Sequence, residues 1–121
     1  KVAVIELFDY HCGYCKRATD LVRDITKTDP AVKVILRDLP LLRKESDQAA
    51  RYALAAREQG QYLDYHFALL AQSGVLTEEK LTEVAKSVGL DAARLKKDAA
   101  AAKLDAAIES NFAAAQRMRL D

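Results

Sequence analysis

Cys12 and Cys15 are the two residues of this chain whose type and spacing could perform covalent chemistry. They are the only cysteines among 121 residues, and the dipeptide Gly13-Tyr14 separates them. Two thiols three positions apart can close a small disulfide, and a thiol at the start of a helix is stabilised as the thiolate. The spacing therefore points to thiol-disulfide exchange.

The segments around the cysteines predict a strand followed by a helix. Residues 2–8 are apolar and β-branched without alternation, which is typical of a strand buried on both faces. Apolar residues then recur at helical spacing, which puts Cys15 on the buried stripe of a helix and Cys12 in its first turn. A second β-branched strand follows over residues 32–37, so this part of the chain predicts a βαβ unit.

The predicted helix start gives the two thiols different roles. Its free N–H groups and the positive end of its dipole should hold negative charge on Cys12, whose pKa we expect below the usual value of about 8.5. His11 and Lys16 are expected to add positive charge nearby. Cys15 faces the core and should stay protonated longer. We therefore predict that Cys12 forms mixed disulfides with a partner and that Cys15 resolves them.

Two other ionisable residues need an interpretation. Glu6 lies in the strand predicted to be buried, where an ionised carboxylate is costly. It is either an edge residue with access to water or a carboxyl of raised pKa that exchanges protons with Cys15. His66 shares a predicted helical face with Tyr62 and Phe67, which favours a hydrogen-bonded core histidine over a catalytic one.

The rest of the chain predicts helices. Ser46 is placed to cap the first of them, and Thr77 and Asp91 are placed to cap two later ones. A last helical pattern runs from Leu104 to Met118. The predicted fold class is α/β, with a βαβ segment carrying the site over residues 1–40 and a helical domain over residues 41–121.

Composition narrows the classes of partner. The formal net charge is +1, from 19 basic and 18 acidic residues mixed along the chain, so neither nucleic acid nor an anionic membrane surface is expected to bind. A structural zinc site needs four ligands, which the cysteines and two histidines are poorly placed to supply. Two alternatives stay open, namely a soft-metal protein that holds copper on the two thiolates and a catalytically silent binding module.

The segment from Ile5 to Lys16 closely resembles the active-site segment of the DsbA-like thiol-disulfide oxidoreductases. Those proteins are thioredoxin folds with an inserted helical domain. The likeness continues through residues 37–40, 49–67 and 88–91, and so spans nearly the whole chain. The Gly13-Tyr14 dipeptide is also similar to that of the bacterial disulfide isomerases and the copper-sensitivity suppressor proteins, so the motif does not separate an oxidase from an isomerase.

This resemblance implies a function and its setting. It implies donation of disulfides to secreted proteins in the periplasm, with isomerase or reductase activity as the alternative, and a membrane partner that reoxidises the site. No organic cofactor and no metal are expected, since Cys12 and Cys15 carry both electrons. The likeness places a buried acidic residue at Glu6 and gives His11 and the Gly13-Tyr14 dipeptide supporting positions around the cysteines.

The resemblance also implies what a complete fold would contain. After the helical insertion the family continues with a cis-proline loop, two further strands and a closing helix. Pro30 and Pro40 both precede the inserted helices, so we expect this chain to lack those C-terminal strands. The strand over residues 2–8 would then have a bare apolar edge, which a missing segment or a second copy, through dimerisation or strand swapping, would cover.

Overall fold

The computed structural model describes residues 2–40, 42–101 and 103–117. Within these ranges the chain forms two strands separated by one α-helix, and then five further α-helices and one short 3₁₀ segment. The predicted last helix is present up to Arg117, whereas Met118 lies outside the described residues. The elements are β1 (Val2–Phe8), α1 (Gly13–Thr28), β2 (Val32–Asp38), α2 (Lys44–Ala55), the 3₁₀ segment (Ala56–Gln59), α3 (Tyr62–Leu70), α4 (Glu78–Ser87), α5 (Ala92–Ala99) and α6 (Lys103–Arg117).

The two strands form a parallel pair in register. Val2 lies opposite Val32 at one end, and Phe8 lies opposite Asp38 at the other. Helix α1 connects them, as a parallel pair requires. The predicted βαβ unit and the α/β class with an added helical region are confirmed.

Strand β1 is less covered than its sequence predicted. Val4 is 44% exposed and Ile5 is 46% exposed. Because adjacent strand residues point to opposite faces, both faces of β1 are open here. The prediction of burial on both faces is therefore wrong for these residues, because the elements packed on the two-stranded sheet leave both side chains exposed.

The main core lies where the end of β1 meets the helices. Phe8 and Tyr10 pack there against small and large apolar residues of α2, α3 and α4. The boundary predicted near residue 40 falls in the connection between β2 and α2. One cluster thus joins the βαβ segment to the helical region and supports the turn that carries the cysteines.

Helix caps match the sequence pattern at two of three positions. The side chains of Thr77 and Asp91 accept backbone N–H groups at the starts of α4 and α5. Ser46 does not cap α2, because this helix begins before it with Arg43 as its N-cap residue. Ser46 is instead buried in the first turn of α2, where its hydroxyl is free to bind other segments.

None of the helices in the described part of the chain is both long enough and apolar enough to span a bilayer.

Candidate active site

Cys12 is the N-cap residue of helix α1, which confirms its predicted place at the start of a helix. Its backbone is extended, with φ −78° and ψ 111°. The Cys15 backbone N–H donates to the Cys12 Sγ at 3.2 Å. The Cys12 N–H donates in turn to the Asp9 carbonyl at 2.9 Å, which fixes the turn before the helix. The sulfur therefore receives one of the free donors of the first helical turn.

Cys15 lies one turn into the helix and is half-buried against the main core. Burial is the largest cause that raises the pKa of its thiol, to about 11, and the hydrogen bond with Cys12 adds to it. The negative charge of Glu6 acts in the same direction, whereas a hydrogen bond with the Asp9 backbone opposes them. At neutral pH Cys15 is therefore a thiol and not a thiolate.

Glu6 combines features of both interpretations offered by the sequence. Its carboxyl is partly exposed, and partial burial raises its pKa. It is also close enough to Cys15 for its charge to raise the pKa of that thiol. The structure thus brings a carboxyl of elevated pKa near the inner cysteine.

The expected positive charge on His11 is wrong. The Leu76 backbone N–H donates to the His11 Nε2 at 2.9 Å, so that nitrogen carries no proton. The His11 Nδ1 lies 2.7 Å from the Ser46 Oγ and donates to it, and burial lowers the pKa of the ring. The Lys16 ammonium, for its part, donates to the Gln72 carbonyl.

Gly13 and Tyr14 lie on the open side of the helix start. Tyr14 is 76% exposed, with the Arg17 guanidinium 5.7 Å from its ring centre. A Cβ added to Gly13 would meet the Arg17 Nη1 at 3.6 Å, an ordinary contact. The dipeptide therefore leaves the approach to the cysteines open, and local packing does not require a glycine at position 13.

An open cavity of about 180 Å³ borders both cysteines. Its walls are mainly apolar and come from the end of β1 and from the segment after β2. The lining residues are Leu7, Phe8, Asp9, Cys12, Cys15, Leu39 and Leu42.

His66 is a core residue, as predicted. It is 1% exposed, and its Nδ1 lies 2.7 Å from the Tyr10 hydroxyl in a hydrogen bond. Its ring stacks on Tyr62 and meets Phe8 and Phe67 edge-on. Burial lowers the pKa of His66 to about 4, so the ring is neutral at physiological pH.

Sequence reasoning missed three polar residues around the site. Asp9 and Ser46 form a buried hydrogen bond of 2.7 Å beneath the turn that leads to Cys12. Asp38 is 2% exposed, neither carboxyl oxygen has a hydrogen-bond partner among the described residues, and burial raises its pKa. Asp9 had a local signal, since a short polar residue between a strand and a helix often binds backbone N–H groups.

The alternative of a soft-metal protein gains no support. Among the described residues, no group of three or more histidine, cysteine, aspartate or glutamate side chains is placed to hold a metal ion. His11 is next to Cys12 in the chain, but both of its ring nitrogens already bind other groups.

Comparison with known proteins agrees with this geometry. The chain resembles a thioredoxin-like oxidoreductase from Silicibacter pomeroyi, with 43% identity and a TM-score of 0.91 over 95% of this chain. It also resembles the thiol-disulfide exchange protein alpha-DsbA2 from Wolbachia pipientis, with 27% identity and a TM-score of 0.87 over 94% of this chain. A curated relative, the Na(+)/H(+) antiporter NhaA 3 of Salinispora tropica, is 34% identical over 97 residues, or 78% of this chain.

The chain spans only part of each of these proteins. It covers 66% of the Silicibacter structure, 63% of the Wolbachia structure and 15% of the antiporter. A family model, by contrast, matches residues 3–121, which include both cysteines and all the helices. On that match the chain belongs to the family of DSBA-like thioredoxin domains.

Proposed function

We propose that this chain is a thiol-disulfide oxidoreductase that acts on protein substrates. One observation carries the proposal: the Cys12 sulfur accepts an N–H of the helix start, while burial keeps the adjacent Cys15 thiol protonated. An outer sulfur that receives a helix N–H, beside a partner that stays protonated, suits thiol-disulfide exchange.

The reaction uses the two sulfurs in sequence. With the pair oxidised, a substrate thiolate attacks the Cys12 sulfur, and the Cys12–Cys15 bond breaks. The Cys15 sulfur leaves with the electron pair and takes up a proton. A second substrate thiolate then attacks the substrate sulfur of the mixed disulfide and releases Cys12 as a thiolate. Two electrons have moved from the substrate dithiol to the protein.

We assign the direction of disulfide donation, the oxidase reaction. A hydrogen bond to the Cys12 sulfur favours the reduced form, so the oxidised form is a ready oxidant. Isomerase or reductase activity uses the same atoms and is the alternative. The choice is tested by refolding two forms of one substrate protein. An oxidase accelerates disulfide formation in the reduced form, whereas an isomerase accelerates recovery of the scrambled form.

Glu6 is proposed to exchange protons with Cys15. When Cys15 attacks a mixed disulfide it must lose its proton, and its raised pKa makes that loss unfavourable at neutral pH. Glu6 lies on the neighbouring strand with a pKa also raised by burial, which makes it a better base than an ordinary carboxylate. Its partial exposure lets the proton pass on to water.

The cavity beside the cysteines indicates the kind of substrate. Its walls are mostly apolar, and it is about 180 Å³ in size. Such a surface suits an extended or unfolded chain that presents an apolar side chain next to its cysteine. We therefore propose incompletely folded secreted proteins as the substrates.

The setting we propose is the periplasm or the cell exterior. Disulfides persist in oxidising compartments, and a disulfide donor is useful only there. Continued turnover needs an oxidant for the reduced pair, and we assign that task to a membrane redox partner. We further propose that the edge of β1 left unpaired within the described residues is covered in the working protein, by a strand of a second copy or by a further segment of the same protein.

Cysteine variants test the proposed function. In Cys15→Ala, Cys12 can form a mixed disulfide that nothing resolves, so an adduct with a reduced substrate protein should accumulate on a non-reducing gel after mild oxidation. Cys12→Ala is the matched control, and it should form no adduct and lose exchange activity. If Cys15→Ala accumulates no adduct while it remains folded, the assignment of Cys12 as the reacting sulfur is wrong.

A further inference from the structure

A buried polar cluster links helix α2 to the turn before Cys12. The Asp9 side chain, which is 6% exposed, lies at its centre. Its Oδ1 accepts the His11 N–H at 2.7 Å and the Ser46 hydroxyl at 2.7 Å. Its Oδ2 accepts the Leu42 N–H at 2.9 Å. One carboxylate thus binds donors from the reacting turn, from helix α2 and from the connection that precedes it.

His11 extends the cluster to a fourth region of the chain, the segment before α4. Its ring donates from Nδ1 to the Ser46 Oγ and accepts the Leu76 N–H at Nε2, at 2.7 and 2.9 Å. The Ser46 hydroxyl therefore receives one hydrogen bond and donates another, and it is itself 1% exposed. Hydrogen bonds of this kind constrain position strongly, because breaking one leaves a buried polar atom unsatisfied.

The cluster reaches the reacting sulfur through the backbone of Asp9. The Cys12 N–H donates to the Asp9 carbonyl, so a shift of Asp9 would move Cys12 against the start of α1. The Cys12 Sγ would then lose its alignment with the Cys15 N–H. Within the described residues Ser46 hydrogen bonds to Asp9 and His11 and to neither sulfur, so its effect passes through Asp9 and His11.

We propose that Ser46 is a positioning residue for the thiol-disulfide reaction, acting through Asp9 and His11 to hold Cys12 at the helix start. This inference rests on the proposed function and adds to it. It assigns the helical region a part in setting the rate of the reaction. A serine hydroxyl suits the task because it donates to the carboxylate and accepts from the imidazole at once.

The cluster requires a neutral His11, so acid should weaken it. Protonation of Nε2 removes the acceptor that binds Leu76. The charged groups that face the ring are Asp9 at the end of β1, Lys16 on α1, and Arg43 and Glu45 at the start of α2. The groups of the segment before Leu76 that border the ring are uncharged. Burial, the positive charges and the Leu76 N–H favour the neutral ring, while the two carboxylates oppose them.

The test compares the rates at which reduced proteins react with glutathione disulfide, measured per folded molecule at pH 7. Ser46→Ala should react about tenfold more slowly than wild type, because the variant loses the hydrogen bond to the buried Asp9 carboxylate and the one from His11. Ser87→Ala removes a hydroxyl that bonds within α4 and is the matched control, expected to stay within twofold of wild type. A folded Ser46→Ala protein that reacts at the wild-type rate would overturn the inference.

A second variant keeps the test decisive if Ser46→Ala does not fold. His11→Asn retains a donor for Ser46 but lacks the acceptor for Leu76. The ratio of wild-type to variant rates should be largest at pH 7. It should fall towards one as the pH drops below the ordinary range of histidine and wild-type His11 becomes protonated, because burial lowers the pKa of this ring. A ratio that stays constant with pH would count against a positioning role. A wild-type protein that reacts no faster than free cysteine would instead refute the proposed function itself.

Discussion

The reactivity of Cys15 offers a direct test of how the two thiols differ. In Cys12→Ser, Cys15 is the single thiol of the chain, and the main cause of its raised pKa, burial, remains in place. At the pKa of about 11 that Cys15 has beside Cys12, roughly one thiol in a thousand is ionised at pH 8, whereas about a quarter of free cysteine is ionised there. Replacing Cys12 removes its smaller contributions and narrows this difference. Since the thiolate is the species that reacts, Cys15 should be alkylated on the order of a hundredfold more slowly than free cysteine.

Iodoacetamide alkylation followed by mass spectrometry measures this rate. The same variant in denaturant supplies the free-cysteine reference, and Cys15→Ser reports the rate at Cys12. Restricted access and a raised pKa both slow alkylation, and the pH dependence separates them. A raised pKa predicts a rate that climbs tenfold per pH unit through pH 10, whereas restricted access predicts a plateau near pH 9. A native rate within threefold of the denatured rate would refute the reasoning.

Two further predictions concern Glu6 and His66. In Glu6→Gln the loss of negative charge should lower the pKa of Cys15. Resolution of a glutathione mixed disulfide on Cys12 should nevertheless slow at least about tenfold, because the proton acceptor is gone. A faster resolution would show that the role of Glu6 is purely electrostatic. Burial lowers the pKa of His66 from 6.5 to about 4, so the unfolded chain binds its proton first and stability is lost as pH falls through that window. Between pH 7 and pH 4.5 this group should lower the free energy of unfolding by about 2 kcal/mol. Denaturant titration should therefore show a shallower pH dependence of stability in His66→Gln than in wild type. Equal pH dependence in the two proteins would contradict this prediction.

Local sequence patterns were enough to place the reacting pair. Apolar β-branched residues up to Phe8, a short polar turn and then helical periodicity specify a strand-to-helix junction, and Cys12 lies at that junction in the structure. The packing of Cys15 against the core follows from the helical repeat alone, because Cys15 falls on the core-facing stripe. These features depend on neighbours within about one helical turn.

Contacts between distant segments could not be predicted in the same way. The charge of His11 depends on an N–H of Leu76, which is 65 residues away, and on a hydroxyl of Ser46, 35 residues away. A histidine beside a cysteine motif suggests a cation until those partners are known. The exposure of Val4 and Ile5 shows a similar limit, since the pattern of β1 describes what the strand can bury and not which elements cover it.

The spacing of the two cysteines also supports the proposed oxidase direction. With Cys12 as the N-cap residue of α1, Cys15 is the third residue of the helix, and its N–H is a donor that an N-cap side chain ordinarily satisfies. A thiolate is a strong acceptor for this N–H, whereas a sulfur in a disulfide is a weak one. Oxidation therefore removes much of the cap. A cap contributes about 1 kcal/mol, and in a two-electron couple about 1.4 kcal/mol corresponds to about 30 mV. We therefore expect the same three-residue interval that lets the sulfurs bond to shift the couple by about 20 mV in the oxidising direction, as the proposed disulfide donation requires.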